Sequence, residues 1–192
     1  DEKFYGAILY SWGANHNIGS PYGLKMTEVA ELVRVAIKKG HEFPVSQVLA
    51  VSQRKLVSQC PGLRLIVSYA DTGEGHHGGI YQAAGWVYAG MTQVKFDFIA
   101  DGKKLQRRAY TGTNYGQPKQ ELPANATPIK SPAKHRYLMP LDDAMRKQIE
   151  PLRKPYPKRV RSADGGTSGN QPEGGGSIPT RTLSQSDEGQ SG

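Results

Sequence analysis

The stretch LRLIVSYADTGEGHHGGIYQAAGWVYAG occupies Leu63–Gly90. It opens with Leu63–Ala70, a near-continuous apolar run of strand length, the pattern of a strand buried on both faces. It closes on a second apolar and aromatic run that starts at Trp86. Between them lie a polar turn and a short segment, His76–Ala84, that reads as a helix closed by Gly85, a residue suited to the left-handed position after a helix. Strand, turn, short helix and strand in one stretch indicate an α/β chain with a mixed sheet.

The flanking segments agree. Upstream, Val45, Val48, Leu49 and Leu56 fall at helical spacing in Val45–Cys60, with Pro44 at the start and Pro61–Gly62 at the end. Lys25–Ile37 is rich in β-branched residues and reads as a strand. Strict alternation puts Val29, Glu31, Val33 and Val35 on one face, and Leu32, Arg34 and Ala36 on the other. Gly13–Gly23 reads as a loop and Phe4–Trp12 as a strand, an opening that suggests further residues upstream. Downstream, further strands follow Trp86 with a turn at Ala100–Lys104, then a strand at Lys134–Leu141 and a helix at Asp142–Glu150. Residues 1–150 form the expected domain, 151–161 a basic linker with five cations, and 162–192 a tail rich in Gly and Ser, expected to be disordered.

The formal charge of +8 and the pI near 9.5 favour polyanionic partners such as nucleic acid, and are equally met by a solvated basic surface. Cys60 is the single cysteine. No disulfide can form within the chain and no cysteine zinc site exists, so a reducing compartment fits. No apolar run approaches the length of a membrane span.

Several residues carry chemistry. Ser68, Tyr69 and Asp71 end a buried strand, where open α/β sheets bind ligands. Ser68 or Tyr69 would hold a carbonyl or a base edge, and Asp71 would orient an amine; Asp71-Thr72-Gly73 is also an ordinary turn. His76 and His77 are adjacent and cannot share a helix face, so a metal site would need His16, Asp71 or Glu31 as well; the spacing demands no metal. The helix start near Val45, Ser46 and Gln47, with Lys38 and Lys39 before it, suits a pyrophosphate or is a plain connection. Arg34 would bind a phosphate or carboxylate, or pair with Glu28. Tyr5, Tyr10, Trp12 and Tyr22, with Asn15, His16 and Asn17, would line a pocket for a flipped base or form ordinary core and loop.

Ile80–Gly90, with Tyr81, Gly85, Trp86 and Gly90 in order, resembles motif B of the GNAT acyltransferases. ELVRVAI (Glu31–Ile37), SYADTGEGHHGGIYQAAGWVYAG (Ser68–Gly90) and KHRYLMPL (Lys134–Leu141) together resemble the Mom family of Mu-like phages, GNAT-like enzymes that modify adenine in phage DNA and shield it from restriction. The resemblance covers Phe4–Leu141. It implies a GNAT-like mixed central sheet flanked by helices, without the family's N-terminal segment. It implies transfer of a methylcarbamoyl-type group to the exocyclic amine of adenine in double-stranded DNA, in the cytoplasm of an infected or lysogenic bacterium. Acetyl-CoA would be held by Lys38, Lys39, Val45, Ser46 and Gln47, although Lys38–Ser46 lacks the glycine-rich pyrophosphate loop of ordinary GNAT enzymes. Tyr81 would be the general acid, with Asp71, Ser68 and Tyr69 beside it, and Arg34, His16 and Tyr22 would contact substrate. A GNAT enzyme acting on a protein or small amine, and a DNA-binding protein without activity, are the other readings.

Overall fold

A computed structural model of the chain describes residues 4–13, 17–105, 109–110 and 120–158. His16, Asn15 and the whole of 162–192 lie outside them. The architecture is mixed α/β, with two sheets and few helices. The main sheet has the order β1 (Gly6–Ser11), β2 (Val29–Ile37), β3 (Leu65–Asp71), β8 (Lys134–Pro140) and β4 (Val87–Met91). Only β2 and β3 run parallel. They are joined by α1 (Val45–Gln59), the crossover that a parallel pair requires. A second sheet of three strands, β6 (Lys103–Leu105), β5 (Lys95–Ala100) and β7 (Thr127–Ser131), is inserted between β4 and β8.

β3 is apolar on both sides because both sides are covered. Ile66 and Ala70 join one buried cluster with Leu49 of α1 and with Tyr81 of α2 (Gly79–Ala83). Leu65 and Val67 join the other with Met145 and Ile149 of α3 (Asp143–Ile149). Leu49 is fully buried and pins α1 to the sheet, a burial contributing about 2 kcal/mol. α3 starts at Asp142, whose carboxylate accepts from the Met145 N–H at 2.7 Å and from Arg64 Nε at 2.8 Å.

β2 departs from simple alternation. Against β1, Leu9 pairs with Arg34 and Tyr10 with Leu32, so Val33 is an extra residue. This bulge shifts the phase, and Ala30, Leu32, Val35 and Ile37 all face the α1 cluster. Arg34 therefore does not share a face with Leu32, as alternation predicts; it is exposed. Val29 and Val35 likewise part to opposite faces. The bulge also marks where β2 leaves β3. Their parallel pairing runs from Val29–Leu65 to Leu32–Ser68, while β2 continues to Ile37 and β3 to Asp71. The two strands fork at Leu32 and Ser68.

The segment after α3, read from the sequence as a linker, follows the outer edge of β4. Lys154 N–H donates to the Tyr88 carbonyl at 2.9 Å, and the Tyr156 hydroxyl to the Trp86 carbonyl at 2.6 Å. Strand β7 was not anticipated, and among the described residues no helix is long and apolar enough to cross a membrane.

Candidate functional site

Two glycines bracket α2 and set its place over the end of β3. Gly78 has φ +74° and Gly85 φ +73°, conformations that glycine adopts without a steric cost. Gly78 also lies so close to Tyr137 that a Cβ there would stand 2.3 Å from the ring. The helix this creates carries Tyr81, 3% exposed, between Trp86 and Tyr137, with ring centroids 5.1 and 5.0 Å away.

The Tyr81 hydroxyl lies 2.8 Å from Ser68 Oγ, and Ser68 Oγ lies 2.8 Å from the Leu32 carbonyl oxygen. Ser68 is fully buried. A serine hydroxyl has one proton, and a carbonyl only accepts. Ser68 Oγ is the donor in both contacts, so its one proton is shared between the Leu32 carbonyl and the Tyr81 hydroxyl. The chain of bonds runs from the phenol, across β3, to the last residue of β2 paired with β3. It fixes the phenolic oxygen at the fork.

A second polar layer surrounds this pair, built mainly on Gln82, Tyr88, His135 and Tyr137, to which the sequence reading gave no role. The Tyr137 hydroxyl donates to the His77 carbonyl at 2.5 Å. Gln82 Nε2 reaches the Tyr137 hydroxyl, the His77 carbonyl and the Pro157 carbonyl at 3.1, 3.0 and 3.3 Å. Tyr88 shares a 2.9 Å hydrogen bond with His135 Nδ1. Burial, with His77 nearby, holds His135 below the ordinary histidine range, so it is neutral at neutral pH. The alternation of His135, Tyr137 and Met139 in β8 was the signal that these side chains face Tyr81's side of the sheet.

Alternation separates the other expected residues from this pair. Tyr69 packs against the α3 cluster, on the opposite side from Ser68. Burial pushes its phenol up to about 12, helped by Tyr22 and Glu31 and opposed by Arg136. Tyr22 is itself 5% exposed, its phenol raised by burial and lowered by the same Arg136. Asp71 falls in step with Tyr69. Its carboxylate accepts from Gly73 N–H at 2.9 Å and pairs with Lys134 Nζ at 2.8 Å. Burial alone would raise the Asp71 carboxyl, but Lys134 and the Gly73 N–H together hold it below the usual range. Asp71 thus anchors the turn after β3, while Ser68 and Tyr81 meet on the other side. Arg136 donates to the Ala89 carbonyl at 3.3 Å, and its buried Nε has no partner among the described residues. Those residues also hold no group of three His, Cys, Asp or Glu able to bind a metal.

Compared with known proteins, residues 1–158 match the sequence model of the Mom protein family. The chain belongs to the Mom protein family. Membership implies phage DNA modification. No curated protein matches the chain.

The sequence resemblance placed the phosphates of acetyl-CoA at the start of α1. α1 begins after Pro44, and the Gln47 and Val48 N–H groups turn back to the Pro44 carbonyl. The Val45 and Ser46 N–H groups have no such partner among the described residues and suit a phosphate. Lys39, six residues before Val45, is exposed. Lys38 is committed elsewhere, with its Nζ over the Phe4 ring at 5.5 Å. The donor set fits a pyrophosphate in kind, carried by helix N–H groups rather than by a glycine-rich loop.

Proposed function

We propose that this Mom-family chain is a GNAT-like transferase that moves an acyl-derived, methylcarbamoyl-type group onto the exocyclic amine of adenine in double-stranded phage DNA, protecting it from restriction in the cytoplasm of the bacterial host. The observation that carries this reading is the buried Tyr81–Ser68 pair at the fork of β2 and β3. A fork between parallel strands frees backbone groups of β2 from pairing with β3, and offers them to an extended, amide-bearing ligand.

Acetyl-CoA, when bound, supplies an acyl carbon activated as a thioester, whose sulfur leaves as a thiolate. The first N–H groups of α1 and Lys39 would hold its phosphates. Tyr81 keeps a proton on its Oη beside the fork and would pass it to a departing thiolate; thioester attack alone yields an acetyl group, and the nitrogen of a methylcarbamoyl-type group requires a separate nitrogen donor. Ser68 and the Leu32 carbonyl hold that phenol in one orientation, so the proton is in place without a search. The aromatic wall of Trp86 and Tyr137 excludes water from the Tyr81 ring. The exocyclic amine of adenine is a weak nucleophile, so orientation contributes more here than deprotonation. Arg34 and Tyr22 stand on the other side of the sheet from Tyr81, so neither contacts a base whose amine is brought to that phenol.

Mass spectrometry of nucleosides from the DNA of cells expressing the protein tests the reading. It predicts a modified deoxyadenosine. Unmodified adenine with an acylated protein or small amine would replace it by the amine-transfer reading, and unmodified DNA alone by the binding reading.

A further inference from the structure

We infer that the small sheet β6–β5–β7 is the surface on which this chain docks duplex DNA, with Lys103 and Lys130 on phosphates and Phe96 between them against the groove. The inference rests on the proposed action on DNA, and adds the place where DNA is held.

The insert between β4 and β8 carries a net positive charge. Residues 92–133 hold seven lysines and arginines against three acidic residues. Two of those acids are engaged: Asp97 pairs with Lys104 at 2.7 Å, and Asp101 accepts from Asn125 Nδ2 at 2.6 Å. The register then sorts the sheet. Phe96 stands opposite Lys130 and Ala100 opposite Lys103, which puts Phe96, Lys103 and Lys130 on one face. Both lysines are exposed and have no carboxylate partner among the described residues. Lysines on edge strands also discourage edge-to-edge pairing. That role does not account for Phe96, which is on the central strand and 50% exposed. Cations flanking an exposed aromatic on a β ribbon match a duplex, where phosphates take the charge and an apolar side chain contacts or wedges the base steps.

Position links this face to the site. The insert is rooted where β4 ends and β8 begins, tied by Thr92 N–H to the Lys134 carbonyl and by Lys134 N–H to Thr92 Oγ1, both 2.9 Å. Thr72, just past β3, donates to the Ala133 carbonyl at 2.6 Å. The root therefore stands at the end of the sheet where β2 and β3 fork. From Asp71 back to Ser68 is about 10 Å along the strand, a distance that a nucleotide swung out of a docked duplex covers.

Fluorescence anisotropy with a short labelled adenine-rich duplex, repeated over a range of salt, tests this. Each lost phosphate contact lowers the slope of log K against log salt by about 1, so Lys103→Gln with Lys130→Gln lowers it by about 2. Phe96→Ala weakens binding and leaves the slope as it was. Lys147→Gln on α3 changes neither, and Lys103→Arg with Lys130→Arg keeps the wild-type slope, which separates lost charge from lost folding. A double glutamine variant with the wild-type slope, or a wild-type protein that does not bind the duplex, overturns the inference. If that slope is unchanged while cellular adenine is still modified, DNA modification stands and the docking face is elsewhere. If the slope falls as expected while adenine is unmodified, the docking face stands and the enzymatic reading fails.

Discussion

The Tyr81 hydroxyl is hydrogen-bonded to Ser68 Oγ, 13 residues earlier in the chain, at 2.8 Å in an otherwise apolar interior. Ser68 in turn donates to the Leu32 carbonyl of the neighbouring strand. The interest of this relationship is where it ends. Leu32 is the last β2 residue in register with β3, so a three-part hydrogen-bond chain ties the phenol to the point where the sheet opens.

Removing the middle of that chain tests its role in positioning. Ser68→Ala leaves the Leu32 carbonyl and the Tyr81 hydroxyl without their partner, at a cost of about 1–3 kcal/mol in stability. Under the proposed mechanism it lowers kcat more than it raises KM, because the phenol is no longer held in line. Denaturant unfolding and steady-state kinetics on the same preparation check both parts. A fall in stability with an unchanged kcat would leave Ser68 a structural residue.

Gly78 and Tyr137 make a sharper structural test. Gly78→Ala meets two obstacles: a left-handed backbone at φ +74°, and a ring 2.3 Å from the new Cβ. Tyr137 is fully buried and hydrogen-bonded, so it has little room to yield. The expected loss is about 3 kcal/mol. Gly62→Ala, with open space around its Cβ and no left-handed backbone, changes stability by less than about 1 kcal/mol. Equal effects from the two substitutions in thermal unfolding would contradict the packing described.

Much of this arrangement was legible in the sequence. The apolar run of β3 and the helical spacing of α1 are properties of single segments, and both elements occur where expected. The bulge at Val33 was not legible, because it is set by how β2 meets β1, and it puts Arg34 and Leu32, expected on one face, on opposite faces. TPIKS of β7 contains Pro128 and few apolar residues, and only its place at a sheet edge makes it a strand. Grouping Asp71 and Tyr69 with Tyr81 treated the end of a strand as a single surface. Ser68 and Tyr69 are neighbours in sequence and for that reason face opposite ways. The pairing of Ser68 with Tyr81 depends on where α2 lands over the sheet, and Gly78 decides that through a contact with a residue far along the chain.

Asp142 gives the protein an acid-sensitive anchor. Arg64 first, then the Met145 N–H, hold its carboxyl below the ordinary aspartate range. A carboxyl whose folded pKa is depressed contributes stability above its unfolded pKa, about 3.9, and loses it as pH falls through the folded value. Stability therefore declines as pH drops below about 4. In Asp142→Asn this part of the decline is missing, while stability at neutral pH is reduced by the loss of the Arg64 pair. The pair is about one-third exposed on each side, so solvent screens it and the effect is modest. Unfolding midpoints of both proteins across acidic pH measure it, and parallel curves would contradict it.

The most direct test of the central claim is the fraction of modified deoxyadenosine in cellular DNA with Tyr81→Phe beside the wild type. The substitution removes one oxygen and keeps the ring between Trp86 and Tyr137. The account predicts a folded protein and a loss of modification rate of about 100-fold or more. A Tyr81→Phe protein that modifies adenine as fast as the wild type would contradict it.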